Sequence, residues 1–181
     1  TDNVLATLEV ASAGVEAAIA GAAHVVERRL RTHRHSGVPL ECRGLVAAPE
    51  GDHGLALYGV TKVPQYHRDS IAGVLGIEPA AVRIVQTDIG GGFGVRGELH
   101  PEDILVPVAA LRAKRPVQWL EDRREHLLAA NHSREHEWRV VAAFDGEGRL
   151  QALEAELTTD MGAYLRPLGT DVSMFACFAL P

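Results

Sequence analysis

The chain has few cysteines, few aromatic residues and no excess of positive charge. Its two cysteines, Cys42 and Cys177, form no C-x-x-C pair, which argues against a disulfide framework, a zinc knuckle or an iron–sulfur cluster held within this chain. The formal net charge is −6, and the one basic run, 27–35, is short. Nucleic-acid binders usually carry a basic patch, so we expect no nucleic-acid partner. The low cysteine content is typical of a reducing compartment, and we expect a cytoplasmic location.

The sequence also lacks a long apolar run and a signal peptide. A membrane-spanning helix needs about 20 consecutive apolar residues. The best stretch, 9–26, is interrupted by Glu16 and is rich in alanine. No basic start precedes an apolar core at the N-terminus. The chain begins at Thr1 rather than Met and ends directly after the apolar run 174–180, so we expect it to be part of a longer protein.

What is present predicts an α+β fold. Hydrophobic residues make up 46% of the chain and charged residues 23%, as in globular domains. Apolar periodicity predicts helices at 11–22, 66–75, 101–113 and 121–130, and strands at 24–32, 54–60, 81–87, 116–120, 137–144 and 149–158. This order gives β-α-β-α-β followed by a half rich in β-hairpin. We expect the elements to form a layered mixed sheet with helices packed against it. Two lobes, about 1–115 and 116–181, are one option. One face of the third helix is predicted to carry Ile104, Leu105, Val108, Leu111 and Arg112.

The segment 132–136 matches the H-x-x-E-H signature of a class of zinc proteases. That chemistry needs a helix, which brings histidines four positions apart to one metal. Here His136 opens a predicted strand, and on a strand the two imidazoles would lie about 13 Å apart. The sequence therefore predicts no metal site in this chain.

The run Gly90-Gly91-Gly92-Phe93-Gly94 follows a predicted strand and precedes a helix. Residues 92–97 fit G-x-G-x-x-G, and Glu121 ends the next strand about 24 residues later, which favours a nicotinamide-dinucleotide site as one hypothesis. Pro107 inside the following helix and the later hairpin depart from that fold. A tight turn before a helix is the plainer interpretation. A turn does not require Phe93, however, whereas the wall of a ligand site would use an aromatic ring.

Further motifs accompany the glycine run in order along the chain. Together they resemble the molybdopterin-binding large subunit of the xanthine dehydrogenase, aldehyde oxidase and aerobic carbon monoxide dehydrogenase family. The matching segments are Val38-Pro39-Leu40-Glu41-Cys42-Arg43-Gly44, Ile89 to Gly94, His100 to Asp103, Arg115 to Arg123 and Asp160-Met161-Gly162-Ala163-Tyr164. The resemblance implies a molybdopterin-binding-domain-like α+β fold and makes 1–181 a partial cofactor-binding domain.

The resemblance implies a set of cofactor-binding residues in the glycine loop. These are Gly91, Gly92, Phe93 and Gly94, with the phenylalanine beside the metal centre. A family glutamine that reaches an oxo ligand of molybdenum is replaced here by Lys62, within Thr61-Lys62-Val63-Pro64. Glu98 stands one residue after the position of a substrate-binding carboxylate in some members, so that role carries over weakly. We interpret Glu41 and Arg43 as a structural ion pair.

No catalytic residue is expected within this chain, because the family's base is a glutamate near the C-terminus of a much longer chain. The implied cofactor is molybdenum–molybdopterin, with the cytosine dinucleotide form as one option, and FAD and iron–sulfur clusters on partner domains or subunits. The implied partners are the remainder of the large subunit, the iron–sulfur and FAD-binding subunits, and a small-molecule substrate, with a homo-oligomer as an option. We expect the isolated chain to be inactive. A non-catalytic binding or assembly module of the same fold, motivated by Lys62, stays open.

Overall fold

The computed structural model describes residues 3–51, 54–59 and 61–164, and these form two compact units. The first unit combines the two terminal segments, 1–35 and 133–181, and the second is the central segment, 36–132. The lobe boundary suggested near residue 115 falls inside the second unit. Within the described ranges, every helix is too short or too polar to cross a bilayer.

The order of elements confirms an α+β fold, and most predicted elements occur within a few residues of their expected bounds. The helices of the described residues are α1 (Val15–Gly21), α2 (Pro64–Leu75), α3 (Glu102–Ala113) and α4 (Arg123–Ala129). The strands are β1 (His24–Thr32), β2 (His35–Ser36), β3 (Gly44–Glu50), β4 (Gly54–Gly59), β5 (Val82–Gln86), β6 (Val117–Leu120), β7 (His132–Ser133), β8 (His136–Phe144) and β9 (Leu150–Thr159). His136 opens a strand, as the sequence predicts. Cys177 lies outside the described residues.

The first unit contains an antiparallel sheet in the order β1-β8-β9, and α1 packs against β9 and β8. The predicted hairpin joins β8 to β9. Its turn is closed by the Asp145 carboxylate, which accepts hydrogen bonds from the backbone N–H groups of Glu147 and Arg149, both at 2.9 Å. Gly148 adopts a φ of +81°, a conformation that favours glycine.

The second unit contains a mixed four-stranded sheet in the order β5-β4-β3-β6. β3 pairs antiparallel with β4 and β6, whereas β4 and β5 are parallel and joined by α2. The hydrophobic core lies between this sheet and helices α2 and α3. Its buried members are Leu45, Ala47, Leu55, Leu57, Ile71, Ala72, Val82, Val106 and Ala110.

The predicted face of α3 is confirmed in part, because Ile104 and Leu111 pack against the core of the second unit. The helix buries Val106, Pro107 and Ala110 against β3, whereas Leu105 is 62% exposed. The residues buried most deeply between this helix and the sheet are therefore shorter than the large aliphatic residues of the predicted face. Pro107 is tolerated inside the helix and is fully buried there.

Candidate functional site

The glycine run forms an exposed loop between β5 and α3, with several residues in the left-handed backbone region. Gly91 and Gly94 have φ values of +106° and +89°, which explains glycine at these two positions. Phe93 also has a positive φ, +48°, and its side chain is 76% exposed. A bulky residue held in this region is uncommon and is found preferentially where a loop has a functional role. The loop is therefore more specialised than a simple turn.

The loop presents a row of backbone donors. The Gly91 carbonyl accepts a hydrogen bond from Arg96 Nε at 2.7 Å, and the Gly92 carbonyl accepts one from the Val95 N–H at 3.0 Å. In a trans peptide the C=O and the following N–H point in opposite directions. The N–H groups of Gly92 and Phe93 therefore point away from these partners, and neither has an acceptor within the described part of the chain.

The space beside this row is open. Apart from its two chain neighbours, no atom of the described residues lies within 4 Å of a Cβ atom added at Gly92. Successive free N–H groups in a loop of alternating backbone handedness form a concave site for anions and other oxygen-rich groups. The loop can thus accept an oxygen-bearing ligand directly against its backbone.

The segment 37–42 supports the loop from its other side. A Cβ at Gly90 would lie 2.5 Å from Glu41 Cβ, and a Cβ at Gly37 would lie 3.1 Å from the Phe93 carbonyl oxygen. The Glu41 N–H donates to the Gly90 carbonyl at 3.1 Å, and the Gly90 N–H donates to Glu41 Oε2 at 2.8 Å. Glycine at both positions permits this close approach of two loops.

Lys62 lies at the base of the same loop, since its backbone N–H donates to the Arg96 carbonyl at 3.0 Å. The residue is exposed. Glu98, in contrast, is 8% exposed and lines an internal cavity. Lys62 is thus linked to the glycine loop through Arg96, whose side chain donates to the Gly91 carbonyl, whereas Glu98 is buried and Phe93 is exposed.

A cavity of about 30 Å³ lies inside the second unit, a volume sufficient for one water molecule. Among its lining residues, His67 is buried, and its Nε2 has no hydrogen-bond partner within the described ranges. Burial lowers the pKa of His67, and a hydrogen bond to the Glu98 backbone only partly opposes this. His100 also lines the cavity and contacts the Val95 carbonyl through Nε2 at 3.1 Å. The sequence pattern assigns no functional role to either histidine.

Arg43 and Glu121 form a buried ion pair. Glu121 Oε1 accepts hydrogen bonds from Arg43 Nε at 3.0 Å and from Nη2 at 2.6 Å, and its Oε2 contacts His126 Nδ1 at 2.8 Å. The proposed pairing of Glu41 with Arg43 is therefore wrong, because Glu41 pairs with Arg96 instead. The Glu121 carboxylate is fully buried, so it cannot contact a ribose as the dinucleotide hypothesis requires.

Comparisons with known proteins identify the family of this fold and loop. The chain matches the molybdopterin cofactor-binding domain family over residues 1–181, and it belongs to that family. It is 36% identical over 175 residues to 6-hydroxypseudooxynicotine dehydrogenase complex subunit gamma of Paenarthrobacter nicotinovorans, covering 94% of this chain and 22% of that protein. It is 34% identical to the nicotine 6-hydroxylase large subunit of the same organism, covering 92% of this chain and 20% of that protein.

Solved structures show the same fold. Quinoline 2-oxidoreductase from Pseudomonas putida 86 superposes with a TM-score of 0.80 and 37% sequence identity, over 84% of this chain and 20% of that chain. A carbon monoxide dehydrogenase from Oligotropha carboxidovorans gives a TM-score of 0.74 and 27% identity, over 80% of this chain and 18% of that chain. The chain spans about a fifth of the length of these relatives.

Proposed function

We propose that this chain is the part of a molybdenum-dependent oxidoreductase that holds one side of its molybdenum–molybdopterin cofactor through the glycine loop. The observation that carries the proposal is the pair of backbone donors at Gly92 and Phe93, with open space among the described residues where a Cβ atom of residue 92 would lie. These donors fit a cofactor rich in oxygen atoms, because they can bind oxo or phosphate oxygens without a side chain in between. Membership of the molybdopterin cofactor-binding domain family supports the same assignment.

When bound, the cofactor supplies the two-electron oxidation of a small substrate with oxygen derived from water. The proposed residues of this chain bind and shield it. Gly91, Gly92 and Gly94 allow close backbone approach, and Phe93 offers an exposed aromatic wall that keeps water from the same side. Lys62, tied to the loop through its backbone, would bring a positive charge and N–H donors.

The proposed substrate class is an aldehyde, an aromatic heterocycle or a similar small molecule. The names of the relatives that act on nicotine and quinoline support a heterocycle. We place the catalytic base in the remainder of the longer protein, so the isolated chain would not turn over substrate. A substrate-binding role for Glu98 stays a prediction, and its burial gives no support to it.

We further propose a cytoplasmic enzyme whose electrons pass to iron–sulfur clusters and FAD on partner domains or subunits. Relatives named as a gamma subunit and a large subunit support a multi-subunit assembly. The cytosine dinucleotide form of the cofactor is part of this proposal and is tested by release and chromatography of the pterin.

A second candidate function is a non-catalytic module that keeps the fold but binds no cofactor. Lys62 favours it, because a lysine replaces the expected glutamine at the base of the loop. The two candidates differ in a quantity that can be measured on the purified protein, its molybdenum content.

The test is metal and pterin analysis of the full-length protein purified with its partners. We expect stoichiometric molybdenum and a releasable pterin, both retained in a Lys62→Gln variant, because glutamine keeps an N–H donor at this position. Absence of both from well-folded wild-type protein would contradict the proposed function and support the non-catalytic module. A substrate panel of aldehydes and heterocycles then measures turnover of the loaded enzyme.

A further inference from the structure

We infer that Arg96 and Glu41 are positioning residues that preset the glycine loop in its ligand-accepting conformation. The inference rests on the proposed function, since it concerns the same loop. Neither side chain contacts the open space beside Gly92. They would act by fixing the peptide groups that border it.

Arg96 is the central contact of this arrangement. Its side chain is 3% exposed, and it connects two loops that are distant in sequence. Nε donates to the Gly91 carbonyl at 2.7 Å, and Nη2 lies 2.9 Å from the Glu41 carbonyl oxygen and 3.1 Å from that of Cys42. One guanidinium therefore holds carbonyl groups of both loops, a task suited to its fixed fork of donors.

Glu41 completes the contact and supplies the opposite charge. Its Oε2 lies 2.9 Å from Arg96 Nη2 and accepts the Gly90 N–H at 2.8 Å. A buried guanidinium without a nearby carboxylate would be strongly unfavourable. The carboxylate thus makes the burial of Arg96 under the loop tolerable and also anchors the start of the glycine run.

The consequence concerns the peptide group between Gly91 and Gly92. Glycine at both positions allows this peptide to rotate, and rotation would turn the Gly92 N–H away from the open space. The bond from Arg96 to the Gly91 carbonyl prevents that rotation. Fixing the donor before the ligand arrives lowers the entropic cost of binding, so removal of Arg96 should weaken retention of the ligand.

The test uses the full-length, cofactor-loaded protein with Arg96→Lys, Arg96→Met and Glu41→Gln variants. Two quantities are measured: the rate of cofactor release, and hydrogen exchange of the amides of residues 90–95 compared with those of β3, β4 and β5. The matched control is Arg83→Met. Arg83 lies on β5 of the same unit, seven positions before Gly90, and its exposed side chain pairs with Glu50 at the surface.

We expect Arg96→Met to release cofactor roughly 10 to 100 times faster than wild type, the effect of losing a charge-assisted hydrogen bond. In Arg96→Lys the rate of cofactor release should lie between those of wild type and Arg96→Met, because an ammonium group keeps some N–H donors but lacks the planar donor arrangement of the guanidinium group. Exchange should increase at the loop amides and stay unchanged in the sheet. Arg83→Met should behave like wild type.

Three results would overturn the inference. Cofactor release and loop exchange equal to wild type in Arg96→Met, Arg96→Lys and Glu41→Gln would show that the loop needs no such support. An equal increase of exchange in the loop and the sheet would assign Arg96 a general role in stability. If wild-type protein holds no cofactor, the proposed function is contradicted, and the inference that rests on it falls with it.

Discussion

At the scale of single residues, the least ordinary group of the second unit is the Glu121 carboxylate. Burial by itself would raise its pKa, but hydrogen bonds and charge from Arg43 and a hydrogen bond from His126 outweigh this and lower the pKa from 4.5 to about 2. Both the Glu121 and the His126 side chains are fully buried. Removing one partner of such a pair leaves an uncompensated charge in the interior.

We predict that Glu121→Gln lowers the free energy of unfolding by about 3 to 5 kcal/mol at pH 7. A carboxyl with a folded pKa of about 2 and an ordinary value of 4.5 stabilises the fold above pH 4.5 and loses that contribution as the pH falls toward 2. The difference in free energy of unfolding between wild type and Glu121→Gln should therefore be smaller at pH 3 than at pH 7. Urea unfolding of both proteins at pH 7 and at pH 3 measures this difference at each pH.

The control for this prediction is Glu154→Gln, which removes an exposed partner of Arg139 in the first unit. We expect that change to cost less than about 1 kcal/mol at either pH. A Glu121→Gln variant as stable as Glu154→Gln, or a gap independent of pH, would contradict the ionic interpretation of the buried network.

Single residues also show which features of the site can be predicted from the local sequence. The glycine run and Phe93 stand out in the sequence because their composition is unusual. The support of this loop by Arg96 does not stand out in the sequence, because Glu41, the partner of Arg96, lies 55 positions away in the chain. Pairing Glu41 with its neighbour Arg43 used proximity in sequence, whereas the fold selects partners by proximity in space.

At the scale of elements, α4 begins where a capping box forms. The sequence pattern predicts a helix from residue 121, whereas the helix begins at Arg123, with Asp122 as its N-cap. The Asp122 carboxylate accepts the Glu125 N–H at 2.8 Å, and the Glu125 carboxylate accepts the Asp122 N–H at 2.9 Å. The D-x-x-E pattern is visible in the sequence and could have given this boundary.

We predict that Asp122→Ala destabilises the chain by about 1 kcal/mol, because the N-cap side chain satisfies a backbone donor that the helix cannot. Glu125→Gln should be close to neutral, since glutamine serves equally in a capping box. Thermal unfolding of the two variants checks this. If Glu125→Gln were as harmful as Asp122→Ala, the charge of Glu125 rather than the capping geometry would be responsible.

The sequence pattern does not predict strand β3, although this strand pairs with both β4 and β6. Its sequence, GLVAAPE, is short, rich in alanine and contains Pro49, which normally argues against a central strand. The register explains the exception. β6 pairs only with Gly44 to Ala47, so Pro49 lies beyond it and needs no N–H on that side. Such an arrangement depends on strand lengths that hydrophobic periodicity does not encode.

At the scale of the whole molecule, the fold class and family were predicted from the sequence, and the division into units was not visible in it. The first unit joins two segments separated by nearly a hundred residues, 1–35 and 133–181. Composition has no signal for such a discontinuous unit. The motifs identified the family because they occur in a defined order along the chain, and this order can be recognised without knowledge of packing.

The central claim is that an oxygen-rich cofactor lies directly against the backbone at Gly92. A methyl group there has no atom of the described residues within 4 Å apart from its chain neighbours, and Gly92 has no positive φ, so Gly92→Ala should leave the protein's own fold undisturbed. Gly73→Ala, in helix α2 of the same unit, introduces the same methyl group into open space away from the loop.

The most direct measurement is the molybdenum and pterin content of the full-length protein carrying either substitution, with thermal unfolding as the check on folding. We predict wild-type stability or better for both variants, wild-type cofactor content for Gly73→Ala, and a large loss of cofactor for Gly92→Ala. Equal cofactor content in Gly92→Ala and wild type would contradict the claim that this loop holds the cofactor.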